Sequence, residues 1–226
     1  MKKIHPRIPE GGAIEDTSEM TMEQYSELMK KQLWKEYVRF ADEVVEEIQP
    51  DKNSKVLEIG SGSGWAGIIL LKKRTDLLLE GLEPSLDMIR VAIANATKEG
   101  LENRFEFKAG NGEDMKEMKD GDYDLVISRE SLHHWDDPEK VFLEIKRVLK
   151  PSGKIFIHDF RRDMSIFGRL IVNIISKFLP YNMGKHWKAS IAASYTPDEI
   201  KEILAKIDCK EWQVSSDLMD LIIYKN

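Results

Sequence analysis

The sequence predicts a doubly wound α/β domain: a mostly parallel seven-stranded sheet with an antiparallel C-terminal edge hairpin and helices on both faces. Three observations predict it. Between residues 55 and 160, short β-rich apolar runs alternate with helical periods, the pattern of parallel βαβ units. Two last β-rich runs, 211–215 and 218–224, are separated by a tight polar turn and can pair as a hairpin at the sheet edge. A length of 226 residues with 42% apolar content supplies the core of one large domain.

The elements follow in order. Residues 1–20 hold Pro6, Pro9, Gly11 and Gly12 among charges and have little to bury, so they read as a flexible arm ahead of a single domain over 21–226. From 21 to 48, Leu28, Leu33, Tyr37, Phe40, Val44 and Ile48 recur at helical spacing, and Pro50 stops the run. The segment 21–50 is therefore expected as a helical lid. Strands are expected at 55–59, 77–82, 104–109, 123–128 and 154–159. Helices fit at 65–74, at 85–98 with Gly100 as C-cap, and at 138–149 ahead of Pro151. An apolar helix near 165–178 lies within 161–195, expected as a helical insert over the active site. Thr196-Pro197-Asp198-Glu199 then combines an N-cap, a first-turn Pro and a capping-box Glu, opening a helix to about 207.

Composition excludes several classes. The formal charge is −6 with 33% charged residues, so no global basic field exists to hold a nucleic acid. Cys209 is the one cysteine, which rules out an internal disulfide and a multi-cysteine zinc site; no metal is expected. The most apolar stretch, 164–179, is broken by Arg169, Asn173 and Lys177 and is shorter than the ~20 residues of a bilayer crossing. No apolar run follows Met1-Lys2-Lys3 to form a signal-peptide core, and the expected location is cytoplasmic. The pattern leaves the oligomeric state open.

The chemistry concentrates at Val56-Leu57-Glu58-Ile59-Gly60-Ser61-Gly62-Ser63-Gly64, an apolar strand ending in an acid and entering three alternate glycines before a helix. Such a turn lets backbone approach a ligand without a Cβ in the way, and the helix start offers free N–H groups. Gly62 to Gly67 also fits G-x-G-x-x-G, so the loop alone leaves NAD and an adenosyl sulfonium both open. After the second strand comes Glu83, placed to accept both hydroxyls of a ribose. The additional acid before the glycines, Glu58, is seldom part of the dehydrogenase pattern.

In order, EIGSGSG, GLEPSLDMI, KAGNGEDM, YDLVISRESLHHW and LKPSGKIFIHDF resemble the successive motifs of class I S-adenosylmethionine-dependent methyltransferases. The Leu132-His133-His134 string after the fourth strand is similar to the small-molecule branch. The resemblance covers 55 to about 160. It implies a Rossmann-like sheet, S-adenosyl-L-methionine as cofactor and S-adenosyl-L-homocysteine as product. Gly60, Gly62 and Gly64 would line the methionine end, with Glu58 near its amino group. Glu83, followed by Pro84, would hold the ribose, Met88 would touch the adenine face, and Asn111 with Gly112 would meet the adenine edge. The family commonly has Asp where Asn111 stands, although an Asn oxygen can still accept from the adenine amine. Ser128 and Arg129 end the fourth strand at the ligand-binding edge; Arg129 is either a partner for a carboxylate or an exposed arginine.

A histidine near neutrality in pKa can take a proton from an attacking oxygen or nitrogen, so His133 and His134 are the catalytic candidates, ahead of His158, Asp159 and Tyr25. The competing reading is that the pair starts a helix and caps or packs locally. Methyl transfer from a sulfonium is an in-line displacement, in which orientation and exclusion of water matter more than a base. No [DNS]-P-P-[FYW] string follows the fourth strand, and Cys209 is remote, so base methylation is not expected. The apolar insert, flanked by Arg161, Arg162, Arg169 and Lys177, suggests a small apolar acceptor with a negative group. A dimer contact, core packing or a surface-lying membrane helix would use the same residues. Two other functions remain open: an NAD-dependent oxidoreductase, and a non-catalytic protein binding the adenosyl ligand.

Overall fold

A computed structural model describes residues 6–9 and 20–226. Five strands run parallel: β1 (Lys55–Ile59), β2 (Leu78–Glu83), β3 (Phe105–Ala109), β4 (Tyr123–Arg129) and β5 (Leu149–Phe160). They are joined by β6 (Gln213–Ser216) and β7 (Asp220–Lys225), an antiparallel hairpin whose β7 lies against β5. The sheet order is β3-β2-β1-β4-β5-β7-β6. The expected fold class is present. The hairpin starts two residues later than expected, because Trp212 is buried in the core and the turn is set by Asp217, whose carboxylate accepts from the N–H groups of Met219 and Asp220.

Apolar alternation along the strands builds a three-layer molecule. Leu57, Ile59, Val126, Ile155 and Ile157 face one side, where they pack with residues of α4 (Pro138–Val148) and α7 (Pro197–Lys206). Val56, Leu125, Ile127 and Phe156 face the other, beneath α1 (Met22–Glu43), α2 (Trp65–Lys73) and α3 (Leu86–Lys98). Side-chain caps start four of these five helices: Thr21 with Gln24 for α1, Ser85 for α3, Asp137 for α4 and Thr196 with Glu199 for α7.

Three departures have identifiable causes. The first helix ends in a π-type turn, Val44–Ile48, closed by Gln49 in the left-handed region (φ 51°) rather than running as α-helix to Pro50. β5 begins at 149 instead of 154, since Leu149 pairs with Tyr123 through a register irregularity ahead of Leu125. Beyond α5 (Ile166–Ile175) stands α6 (Met183–Ala193), a helix with no expected counterpart. Its N-cap Asn182 makes no side-chain hydrogen bond, and its first turn carries no acid, so the usual start signals are missing. Tertiary packing sets it instead: a Cβ on Gly184 would collide with the Ser176 backbone.

Of the expected arm, residues 1–5 and 10–19 lie outside the described residues. Residues 6–9 rest on the end of α6, where Arg7 Nε donates to Ala193 O at 2.6 Å and Ile8 N to Ala192 O at 3.0 Å.

Candidate functional site

The strand order reverses between β1 and β4, and ligands of open α/β sheets bind outside the carboxyl ends of strands at such a point. The glycine turn leaves β1 there. Gly60 N and Ser61 N both donate to Leu82 O, at 2.8 and 3.3 Å, which ties the turn to the end of β2. All three glycines have positive φ, 70° at Gly60, 50° at Gly62 and 82° at Gly64, but they serve different ends. A Cβ on Gly60 would strike the Ser131 side chain, so Gly60 lets the β1 and β4 loops close on each other. Gly64 starts α2, and its Cβ position lies 3.3 Å from Ala92 Cβ and from Phe107 Cζ, a helix-packing role. Only at Gly62 does the Cβ direction open into free space.

Glu83 ends β2 and is buried. Its carboxylate accepts from Gly62 N at 2.9 Å and from Ser85 N at 3.0 Å, so it braces the glycine turn and the start of α3 together. Burial raises its pKa, against the two N–H groups that lower it. Glu58 lies deeper, beneath α2, where Gly67 leaves room: a Cβ there would stand 2.5 Å from Glu58 Oε2. The third glycine of G-x-G-x-x-G thus accommodates the acid before the first. Burial pushes the Glu58 pKa up to about 8, with Arg129 pulling it down and Glu83 pushing it further up. Glu58 Oε2 and Ser61 Oγ are buried with no hydrogen-bond partner, as is Arg129 Nε. Buried polar atoms are rarely left so in a finished site.

Side chains remote in sequence hold this geometry. Ser26 Oγ on α1 accepts from Trp65 Nε1 and from Asn95 Nδ2, each at 3.0 Å, and Asn95 Nδ2 also donates to Ser63 O at 2.9 Å. Neither Ser26 nor Asn95 stands out in the sequence, since a helical Ser or Asn carries no motif. Ser61, by contrast, lies inside the glycine motif and could have been marked there.

Other expected site residues are placed with mixed results. Pro84 is exposed at the turn between β2 and α3, and Met88 is half-buried in the first turn of α3. Asn111 is exposed and spends its side-chain oxygen on Glu113 N at 2.7 Å, forming the turn its residue type favours. Gly112 is buried, with Val141 and Ile59 where a Cβ would project. Ser128 Oγ donates to Ile59 O at 2.9 Å, stitching β4 to β1. The reading of Arg129 as an exposed arginine is corrected: it is buried, stacked over the Tyr37 ring at 4.6 Å and paired with Glu130 at 2.5 Å. Its neighbour Glu130 is held at φ 50°, a left-handed conformation unusual for this residue type.

The catalytic candidates separate across the sheet. Leu132–His134 forms a single 3₁₀ turn. His133 is buried, and Asp159 at the end of β5 accepts from its backbone N at 2.7 Å and meets its Nδ1 at 2.7 Å. Burial alone would raise the Asp159 pKa; the charge of His133 and hydrogen bonds from His133 and Phe160 bring it below the usual carboxylate range. The His134 ring lies 4.1 Å from that of His133, and desolvation, followed by His133, holds its pKa down to about 4. Phe160 lies 5.9 Å from the His133 ring, with Trp187 of α6 beyond it at 6.3 Å. His158 points to the opposite face, where Phe40 flanks its ring and Asp220 its Nε2 at 3.4 Å. It is not part of the His133 group. Tyr25 is half-buried in the first turns of α1. Among the described residues, no group of three His, Cys, Asp or Glu side chains could hold a metal ion.

Comparison with known proteins bears on this geometry. A family model described as a methyltransferase domain matches residues 50–208. Phosphoethanolamine N-methyltransferase 1 of Arabidopsis thaliana is 31% identical over 120 residues, covering 53% of this chain and 24% of that protein. Ajmaline N-methyltransferase of Rauvolfia serpentina is 32% identical over 118 residues, 51% of this chain and 40% of that protein. The chain therefore spans less than half the length of these relatives. Among solved structures, a provisional S-adenosylmethionine-dependent methyltransferase of Methanococcus maripaludis superposes with a TM-score of 0.69 at 20% identity, covering 97% of both chains. It shares the fold.

Proposed function

Because the chain belongs to the class I S-adenosylmethionine-dependent methyltransferase family, through the methyltransferase domain matched over 50–208, we propose that it methylates a small-molecule acceptor. One observation carries the reading: at the switch point, the Cβ direction of Gly62 is open, buried Glu83 holds the Gly62 N–H, and buried Glu58 Oε2 and Ser61 Oγ on the same strand and turn are left unpartnered. Those residues suit S-adenosylmethionine. Glu83 would accept from the ribose hydroxyls, Glu58 and Ser61 would meet the methionine end, and Met88 would pack on the adenine. When bound, the cofactor supplies an electrophilic methyl group on a cationic sulfonium.

The protein's own tasks are orientation, exclusion of water and proton management. Glu58 is a buried acid whose charged form a nearby cation favours, so cofactor binding would draw its proton off. On the acceptor side, Asp159 fixes His133 by both its backbone N and its Nδ1. That arrangement favours the tautomer in which Nε2 carries the lone pair, the atom that would take a proton from an attacking O or N. Phe160 and Trp187 give the adjacent wall an aromatic character, which supports an apolar or aromatic acceptor. The segments 21–50 and 161–195 would cover the two sides of the crevice. A location in the cytoplasm accords with the single cysteine.

The sheet order weighs against an NAD-dependent oxidoreductase: the usual dinucleotide sheet is parallel in the order 3-2-1-4-5-6, whereas here an antiparallel β7 is inserted beside β5. A screen of cell metabolites with methyl-labelled S-adenosylmethionine tests the proposal. Label recovered on a small molecule is expected, with loss of that label in Glu83→Ala. Cofactor binding with no transfer to any metabolite would identify a binding protein instead.

A further inference from the structure

The surface of the described residues is uneven. Of its exposed large apolar side chains, half fall between 166 and 181: Ile166, Phe167, Leu170, Ile174, Ile175, Phe178 and Tyr181. Helix geometry sorts them. Side chains four apart lie above one another on an α-helix, so α5 presents parallel rows. The row of Gly168, Val172 and Ser176 is buried against the body, with Gly168 close to Met164 and the Leu218 carbonyl. The row of Ile166, Leu170 and Ile174 points out, and Phe178 follows in the turn after the helix, with Ile166 88% and Phe178 82% exposed. Small residues face inward and large apolar ones face water, the reverse of a core-facing helix. The same reversal keeps this row from walling an acceptor pocket in the interior.

Charge adds a second observation. Arg169 and Asn173 form the adjoining row, Lys177 lies in the turn after α5, and Lys185 and Lys188 follow on α6. No Asp or Glu lies between Asp163 and Asp198, although the whole chain is −6. An apolar ridge bordered by unneutralised cations is the makeup of a helix that lies in a lipid interface. Tyr181 at its end has the amphipathic ring favoured at headgroup depth. No described helix is long and apolar enough to cross a membrane, so the geometry is that of lying on one. A second copy docked through the same face would set these cations against their own kind.

We propose that the outward face of α5, with the cations of α5 and α6, docks this protein on an anionic lipid bilayer surface. The proposal is independent of the methyl-transfer reading. Its test is co-sedimentation of the full chain with vesicles of phosphatidylcholine and phosphatidylglycerol, against vesicles of phosphatidylcholine alone. The chain is expected to pellet with the anionic vesicles and to be released by high salt. Phe167→Ser with Leu170→Ser and Phe178→Ser should weaken binding at least about tenfold, and Lys177→Gln with Lys188→Gln about tenfold. All five positions are exposed, so circular dichroism and the thermal midpoint should match wild type in both variants. Two results would overturn the proposal: wild type left in the supernatant with both vesicle types, or the apolar triple variant binding as tightly as wild type. A dimer seen by ultracentrifugation, abolished by the apolar triple variant and unaccompanied by vesicle binding, would also overturn it, giving the face to a second copy.

Discussion

Two carboxylates are buried at strand ends on opposite faces of the sheet, and they are finished differently. Asp159, one residue before the end of β5, is 1% exposed and accepts from His133 N, His133 Nδ1 and Phe160 N. Glu58, one residue before the end of β1, is 2% exposed and keeps Oε2 unpartnered. The first has its pKa lowered in spite of burial, and the second is raised to about 8 by it. A carboxylate satisfied by its own chain fixes structure. One left with an unpartnered oxygen in the interior costs stability, and beside the glycine turn a bound ligand is one way to complete it. The contrast fits the proposed function, in which the β5 end positions His133 and the β1 end would receive a cation.

The largest expected effect breaks the finished side. Asp159→Ala removes one partner of a buried pair and should cost about 3–5 kcal/mol in urea unfolding, because the backbone N–H and Nδ1 of His133 lose the carboxylate they share in the interior. A loss under 1 kcal/mol would mean that His133 does not depend on Asp159.

The unfinished side predicts a pH dependence of the opposite sign. Glu58 holds its proton in the folded, ligand-free state up to about pH 8, whereas an unfolded glutamate ionises near 4.5. Between those values the folded state binds the extra proton, so this group's contribution to stability falls as pH rises, at up to about 1.4 kcal/mol per pH unit. Above pH 8 the decline stops. Glu58→Gln should flatten unfolding free energy across that window, and an unchanged slope would show that Glu58 titrates normally.

Smaller effects sharpen the cofactor half. Glu83→Ala should weaken S-adenosylhomocysteine binding by about 1.5–3 kcal/mol in calorimetry, the scale of losing hydrogen bonds to a charged group. Gly62→Ala should lower folding stability by only about 1 kcal/mol, from its positive φ, yet weaken cofactor binding further by placing a methyl in the open direction. Equal losses in both measurements would mean that Gly62 serves the turn alone.

Much of this was legible in the sequence, and the reason is locality. The glycine turn, Glu58 and Glu83 belong to continuous strand-turn-helix units, where each residue's neighbours in sequence are also its neighbours in space. The start of α7 was readable because its capping box is four consecutive residues. What escaped depends on contacts across the chain. The role of Ser26 requires Trp65 and Asn95 to converge on it, and α6 forms where Gly184 meets Ser176 rather than at a local cap. The apolar insert shows the limit most clearly: its composition marked a hydrophobic helix, but only the burial of Gly168, Val172 and Ser176 reveals which side faces water.

The central claim is that the crevice between Gly62, Glu58 and Glu83 receives an adenosyl cation, and calorimetric titration with S-adenosylmethionine near pH 7 in two buffers of different ionisation enthalpy tests it. One site per chain is expected, with proton release that disappears in Glu58→Gln. Binding of NADH in place of S-adenosylmethionine, or no binding of either, would contradict it.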